Sequence, residues 1–152
     1  MALSFETTFD YDLVRRILTE PSIYEGIRDD TAPEPEQFQP EKNPRLHYIL
    51  VRDSGEILGL FVCVLHNLVC WEAHTCLLPH CRGRRALEVY REGMRWLKAH
   101  TSCRKVIGSI QPENKAALWI SLRSGLTKFG INTKSILVHG ELRDQILVGK
   151  EL

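Results

Sequence analysis

Glu72, His74 and Cys76 alternate along one apolar-rich segment, Leu68 to Leu78. On a strand their side chains share a face. A carboxylate beside an imidazole, a group that titrates near working pH, can take part in proton transfer. Cys76 beside His74 could also suggest a thiol nucleophile with its base. Two residues apart on a strand, however, their β-carbons stand about 7 Å apart, which is loose for that couple. The next residues are Pro79-His80-Cys81-Arg82-Gly83-Arg84-Arg85-Ala86-Leu87, a basic turn with one glycine. A strand that feeds a helix through exposed amides and arginines can hold a phosphate or pyrophosphate. An ordinary strand–helix joint with a basic surface would show the same residues.

These residues need elements to position them. The helix after the turn is expected over about Ala86 to Ala99, with Leu87, Tyr90, Met94 and Leu97 as one apolar stripe. Lys105 to Ile110 reads as a short strand. Following a strand and a helix, it should lie parallel to the strand ending at Leu78. Pro112-Glu113-Asn114 opens a second helix through Ala116, Ala117, Leu118, Ile120, Ser121 and Leu122, closed by Ser124-Gly125. Upstream, Phe5 to Phe9 can form a strand, and Asp10 or Asp12 caps a helix carrying Leu13, Val14, Ile17 and Leu18. Ser22 can cap a short turn with Ile23, Tyr24 and Ile27. Residues 29–45, with Pro33, Pro35, Pro40 and Pro44, form a long loop, either a packed or disordered crossing or a lid. His47 to Arg52, Ile57 to Leu65 and Leu68 to Leu78 form an antiparallel meander, and the apolar run Ile57–Leu65 should be central in the sheet. A final pair of strands is expected around Lys134 to His139 and Asp144 to Val148. The result is an α/β chain with a mixed sheet.

The chain of 152 residues is expected to be one domain, residues 1–152, with a full core. Its five cysteines, Cys63, Cys70, Cys76, Cys81 and Cys103, form no Cys-x-x-Cys pair, and the histidines show no metal-ligand spacing, so no metal is expected. No apolar run could span a bilayer, and nothing resembles a signal peptide, so a cytoplasmic protein without a membrane partner is expected. Net charge is +1 but uneven. Residues 1–56 carry twelve acids against six bases, and residues 82–105 carry eight bases against Glu88 and Glu92. The basic part could hold an anionic cofactor, or pair with the acidic N-terminal part. Trp71, Trp96 and Trp119 read as core or half-core aromatics, with the last two in helices that the sheet can cover. With so small a net charge, nucleic acid is not the expected partner.

The order of elements, with two short segments, resembles the GNAT superfamily, the GCN5-related N-acetyltransferases. The first family motif is Gln/Arg-x-x-Gly-x-Gly/Ala. Here Arg82 takes its first position, while Arg85 and Leu87 stand where small residues belong. The second is Asn-x-x-Ala-x-x-x-Tyr-x-x-x-Gly-Phe. Asn114, Ala117 and Gly125 match it, with Ser121 in the tyrosine position and Leu126 in the phenylalanine position. The resemblance covers nearly the whole chain as topology, but only about 82–87 and 114–126 as motif.

The resemblance implies a GNAT-like fold, a mixed, mostly antiparallel sheet flanked by helices, and transfer of an acetyl group from acetyl-CoA to an unidentified amine. The acceptor could be a small molecule or a protein, and a homodimer is compatible. The strand ending at Leu77-Leu78 would splay from the strand around Val106–Ile110 and admit the pantetheine arm. Backbone N–H at Leu77 or Leu78 would polarise the thioester carbonyl. The amides of Gly83, Arg84, Arg85 and Ala86 would take the pyrophosphate, with Arg82 or Arg84 adding charge. Asn114 would turn or cap the chain ahead of its helix. Glu72 is the first candidate base and His74 the second; alternatively, Glu72 pairs with a surface arginine and His74 packs half-buried. Ser121 replaces the phenolic acid that protonates the leaving thiolate. Small proteins of this kind with divergent motifs also resemble products of tailed bacteriophages, some virion-associated. A catalytically inactive structural or interaction protein is therefore the alternative.

Overall fold

The computed structural model describes residues 2–152. The elements are β1 (Leu3–Thr7), α1 (Tyr11–Leu18), α2 (Pro21–Ile27), β2 (Leu46–Asp53), β3 (Glu56–Leu65), β4 (Cys70–Leu77), α3 (Arg84–His100), β5 (Lys105–Ile110), α4 (Lys115–Arg123), β6 (Thr127–Val138) and β7 (Glu141–Glu151). The strands form one seven-stranded sheet in the order β1-β2-β3-β4-β5-β7-β6. Neighbours run antiparallel except β4 and β5, which are parallel. The meander β2–β3–β4 and the parallel β4–α3–β5 crossover are as the sequence predicts. This is the mixed, mostly antiparallel sheet flanked by helices that the resemblance implies.

Alternation along the strands sends one set of apolar residues to each face. Tyr48, Leu50, Leu60 and Cys76 pack against Val14, Ile17 and Leu18 of α1 and Ile23 of α2. Ile49, Val51, Phe61, Trp71 and Leu77 face the other way, onto Ala86, Val89 and Leu97 of α3. A third cluster joins Tyr90 and Met94 of α3 to Ile110, Leu126, Ile146 and Val148 under α4. The helices therefore split, α1 and α2 on one face, α3 and α4 on the other. α3 lies close to the sheet because residue 93 has no side chain: a Cβ there would stand 2.1 Å from the Phe61 ring. Gly93→Val should cost about 1–3 kcal/mol of stability by overpacking, read from urea unfolding.

The boundaries carry some differences. Asp10, not Asp12, caps α1, its carboxylate accepting from the Leu13 amide at 3.0 Å. Glu20 rather than Ser22 caps α2, accepting from the Ser22 and Ile23 amides. Both final strands are longer than the sequence suggests, because each is completed by pairing with the other. The proline-rich crossing is packed. Arg15 donates to the carbonyls of Phe38, Pro35 and Glu36, and the Tyr48 hydroxyl donates to that of Glu41. Trp119 is 44% exposed, contrary to the expectation of a covered aromatic, because α4 turns that side away from the sheet. Among the described residues no helix is long and apolar enough to cross a membrane, and no cluster of His, Cys, Asp or Glu could hold a metal ion.

Candidate active site

The parallel pairing of β4 with β5 stops early. It joins Cys70 to Lys105, Trp71 to Val106 and Glu72 to Ile107, and goes no further, although β4 runs on to Leu77 and β5 to Ile110. The strands part beyond that point and leave a V in the middle of the sheet. The reason lies on either side. β3 holds β4 through register from Leu65–Trp71 to Gly59–Leu77, while β7 holds β5 along its whole length. Each half of the sheet follows its own partner.

A cavity of about 1020 Å³ fills the V. Ala73 to Leu77 of β4 and Gly108 to Ile110 of β5 line it, with Cys81 to Gly83 of the following loop at one end. Tyr90 of α3 and Ala117, Ile120 and Ser121 of α4 close one side. Ile23 and Ile27 of α2, Phe38 of the proline-rich crossing and Ile136 of β6 close the other. The cavity thus passes between the faces of the sheet.

The strand amides divide by parity. Leu78 N–H donates to the Leu58 carbonyl at 2.8 Å, so the Leu78 amide is already spent on β3. One residue earlier, the Leu77 amide is directed the opposite way, into the V, where no strand receives it. Of the two backbone donors suggested by the sequence, Leu77 is the one free to meet a carbonyl.

The basic loop also divides. Gly83 precedes α3 with φ +67° and ψ −131°, a conformation that side chains disfavour, and nothing stands within 4 Å of where its Cβ would be. Arg82 lines the cavity and donates to the Ser22 hydroxyl at 2.6 Å. Ser22 in turn donates to Glu20, whose carboxyl is held below its ordinary value chiefly by that bond. Ala86 is buried on the cavity wall. Arg84 is exposed at the first helical position. Arg85 goes elsewhere: its guanidinium pairs with Asp53 at 2.8 Å, and with Glu56 at 4.0 Å, at the β2–β3 turn. Burial opposes ionisation of Asp53, but the bonds from Arg85, Ala2 and Ser54 hold its carboxyl below the ordinary value. Part of the basic segment therefore serves the acidic N-terminal half, with the Arg85 side chain engaged by Asp53.

Glu72 and His74 meet as their alternation requires. His74 Nε2 lies 3.3 Å from Glu72 Oε1, and His66 Nε2 lies 2.9 Å from Oε2. The hydrogen bond from His74, then that from His66, holds the Glu72 carboxyl down at about 2 against the effect of burial. Ser109 of β5 adds a further bond. Glu72 pairs with histidines and not with a surface arginine. His74 lines the cavity. Cys76 is buried, its thiol pushed up to about 12, which leaves it a packing residue. Asn114 caps α4, its side-chain oxygen accepting from the Ala117 amide at 3.2 Å.

His66, Ser22, Thr75 and Tyr90 were not singled out as site residues from the sequence. Tyr90 read as one step of an apolar stripe. The signal available was its hydroxyl, since a buried tyrosine ordinarily finds a polar partner.

No protein-family model matches the sequence, and no curated protein matches it closely. The fold does match solved structures. A spermidine N-acetyltransferase from Vibrio cholerae, in complex with CoA and spermine, superposes with TM-score 0.77 over 98% of this chain and 95% of its own, at 12% identity. A ribosomal-protein-S5-alanine acetyltransferase from Vibrio fischeri superposes with TM-score 0.71 over 99% and 93%, also at 12% identity. Both are acetyltransferases. The likeness at this identity is one of fold.

Proposed function

We propose that this protein is an N-acetyltransferase that binds acetyl-CoA in the V between β4 and β5 and passes its acetyl group to an amine. The observation that carries this reading is the break in β4–β5 pairing after Glu72 and Ile107, opening on a cavity that ends at the Gly83 loop. An extended pantetheine arm can take the backbone groups that the missing pairing leaves free. The Leu77 amide meets the thioester carbonyl as negative charge develops on it. The pyrophosphate rests on the amides from Gly83 to Ala86 at the start of α3. That the spermidine enzyme was crystallised with CoA supports the choice of cofactor.

The amine proton goes to His74. Glu72 fits the role of base less well: with two histidines on its oxygens and a carboxyl held at about 2, it has little affinity for a proton. It orients the imidazole. His74 shares the side of β4 with Cys76, which packs toward α1 and α2. The amine therefore arrives from that face.

Thermal melts with and without acetyl-CoA test the cofactor. Binding to the folded state alone raises the midpoint, and no shift at millimolar acetyl-CoA would overturn the reading. Arg82→Ala should weaken CoA binding by about tenfold, through loss of a charged hydrogen-bond donor. Arg85→Ala should leave CoA affinity unchanged and lower the melting temperature, since its partner Asp53 is mostly buried. Isothermal titration of the two variants separates these outcomes.

A second reading, a GNAT-fold binding or structural protein without turnover, draws on Arg85 being turned away and on serine at position 121. It predicts CoA binding with no acetyl transfer to any of a broad panel of amines. The matched structures named above are enzymes and lend the bacteriophage likeness no support.

A further inference from the structure

The side of the cavity where the amine arrives has an apolar wall. Three strands meet there at one level. His74 of β4 stands opposite Val62 of β3, and Val62 opposite Tyr48 of β2. Directly paired residues share a face. The three side chains therefore form a row, and all three line the cavity. Tyr48 belongs to the cluster under α1 and α2, and Val62 packs against it. From His74 to Tyr48 is two strand spacings, about 10 Å. The Tyr48 hydroxyl is spent on the Glu41 carbonyl at 2.9 Å, so the tyrosine offers its ring. Phe38, held edge-on to Tyr24 with centroids 5.6 Å apart, and Ile136 of β6 extend the wall. Val62, Phe38 and Ile136 are half-buried, so each has apolar surface left to cover.

We propose that the acceptor is a small primary amine on an uncharged, apolar body, such as 2-phenylethylamine, laid along the row from His74 to Tyr48. The inference rests on the acetyl-transfer reading above and names its acceptor class. Covering the wall removes apolar surface of both partners from water. An aromatic body also gains from the rings it meets. The amine nitrogen, at the His74 end, bonds to the thioester carbonyl carbon. Its proton goes to His74, which returns it to solvent. The carbon–sulfur bond breaks with both electrons on sulfur, and the thiolate takes its proton from water.

A charged body is disfavoured in either sign. Of the lysines and arginines among the described residues, Arg82 alone lines the cavity, at its loop end and bonded to Ser22. A carboxylate or phosphate on the acceptor would leave water without meeting a counter-charge on the apolar wall. Three carboxylates stand on the lining, those of Glu25, Glu41 and Glu113. Each has a partner: His139 at 3.3 Å, the Asn43 side-chain amide at 3.2 Å and Arg143 at 3.9 Å, respectively. A second ammonium on the acceptor would have to displace one of these.

A tie across the acceptor side limits size. Ile27 of α2 and Ile136 of β6 both line the cavity there. Just beyond them the two segments are joined. Asp30 N–H donates to the Leu137 carbonyl at 3.0 Å, and the Asp30 carboxylate accepts from the His139 and Gly140 amides at 2.7 Å each. A small amine fits beneath this tie. A lysine on a folded protein brings a surface that meets it.

Rates of acetyl transfer at saturating acetyl-CoA test the class on the wild-type protein. In kcat/KM, 2-phenylethylamine should exceed ethylamine by about tenfold or more, through the apolar area its ring covers. It should exceed phenylalanine, the same body with a carboxylate, by about 100-fold or more. Phenylalaninol, branched alike but uncharged, should lie closer to 2-phenylethylamine than to the amino acid. Phe38→Ala should lower kcat/KM for 2-phenylethylamine about tenfold and that for ethylamine by less. Should Phe38→Ala not fold, the wild-type series decides the matter. Phenylalanine, spermidine or a lysine-bearing peptide proving a better acceptor than 2-phenylethylamine would overturn the class and leave acetyl transfer standing. No transfer to any of these amines would overturn the proposed function and the acceptor class together.

Discussion

His74→Ala is expected to lower kcat/KM by about 10²–10³-fold, at the lower end of what a positioned general base contributes. The assay is acetyl transfer to the best acceptor found in a panel of primary amines. CoA affinity should hold, because the imidazole stands on the acceptor side of β4 and away from the Gly83 loop. The pH profile carries the more specific expectation. A base must be unprotonated to work, so activity rises with pH along an acid limb. The Glu72 carboxyl, held at about 2, is ionised throughout the range of the assay and does not set that limb. Glu72→Gln removes the anion that orients the imidazole. It should cost about tenfold in rate, the worth of one charged hydrogen bond. If His74→Ala kept the wild-type rate and the same limb, the base would have to be sought elsewhere on the cavity wall.

Gly83→Val should weaken acetyl-CoA binding about 10–100-fold. Two effects act in the same direction. At φ +67° and ψ −131° a β-branched residue is strained, and such strain is worth about 1–3 kcal/mol. Relief of that strain would rotate the amides at the start of α3 away from the phosphate. The space around Gly83 is open, so no core contact is lost, and the melting temperature of the unliganded protein should fall by only a few degrees. Isothermal titration and a melt on the same sample distinguish the two effects. A variant that bound acetyl-CoA as tightly as the wild type would remove the pyrophosphate from this loop.

Much of the fold is legible along the chain. The alternation of Glu72, His74 and Cys76 places them on one side of β4, and the pattern of Leu87, Tyr90, Met94 and Leu97 is that of the inner side of α3. The parallel placement of β5 follows from the order strand–helix–strand, since the handedness of such crossovers leaves little choice. Arg85 shows where local reading stops. Within the basic turn it is indistinguishable from Arg82 and Arg84, and its partner Asp53 lies 32 positions away in sequence. Leu77 and Leu78 are likewise equivalent as residues; which amide faces the V depends on the register of β4 against β3.

By its own periodicities the sequence determined the elements, their order and, α4 apart, most of the residues they bury, because helix and strand repeats are local properties of the chain. It also marked the strand–turn–helix from Leu68 to Leu97 as the place where chemistry could occur. The tertiary structure decided how far β4 and β5 pair, which histidine meets the cavity and where each arginine goes. Each of these depends on contacts between segments remote in sequence. Two strands drawn apart by separate partners open the V, and no residue within either strand records that competition.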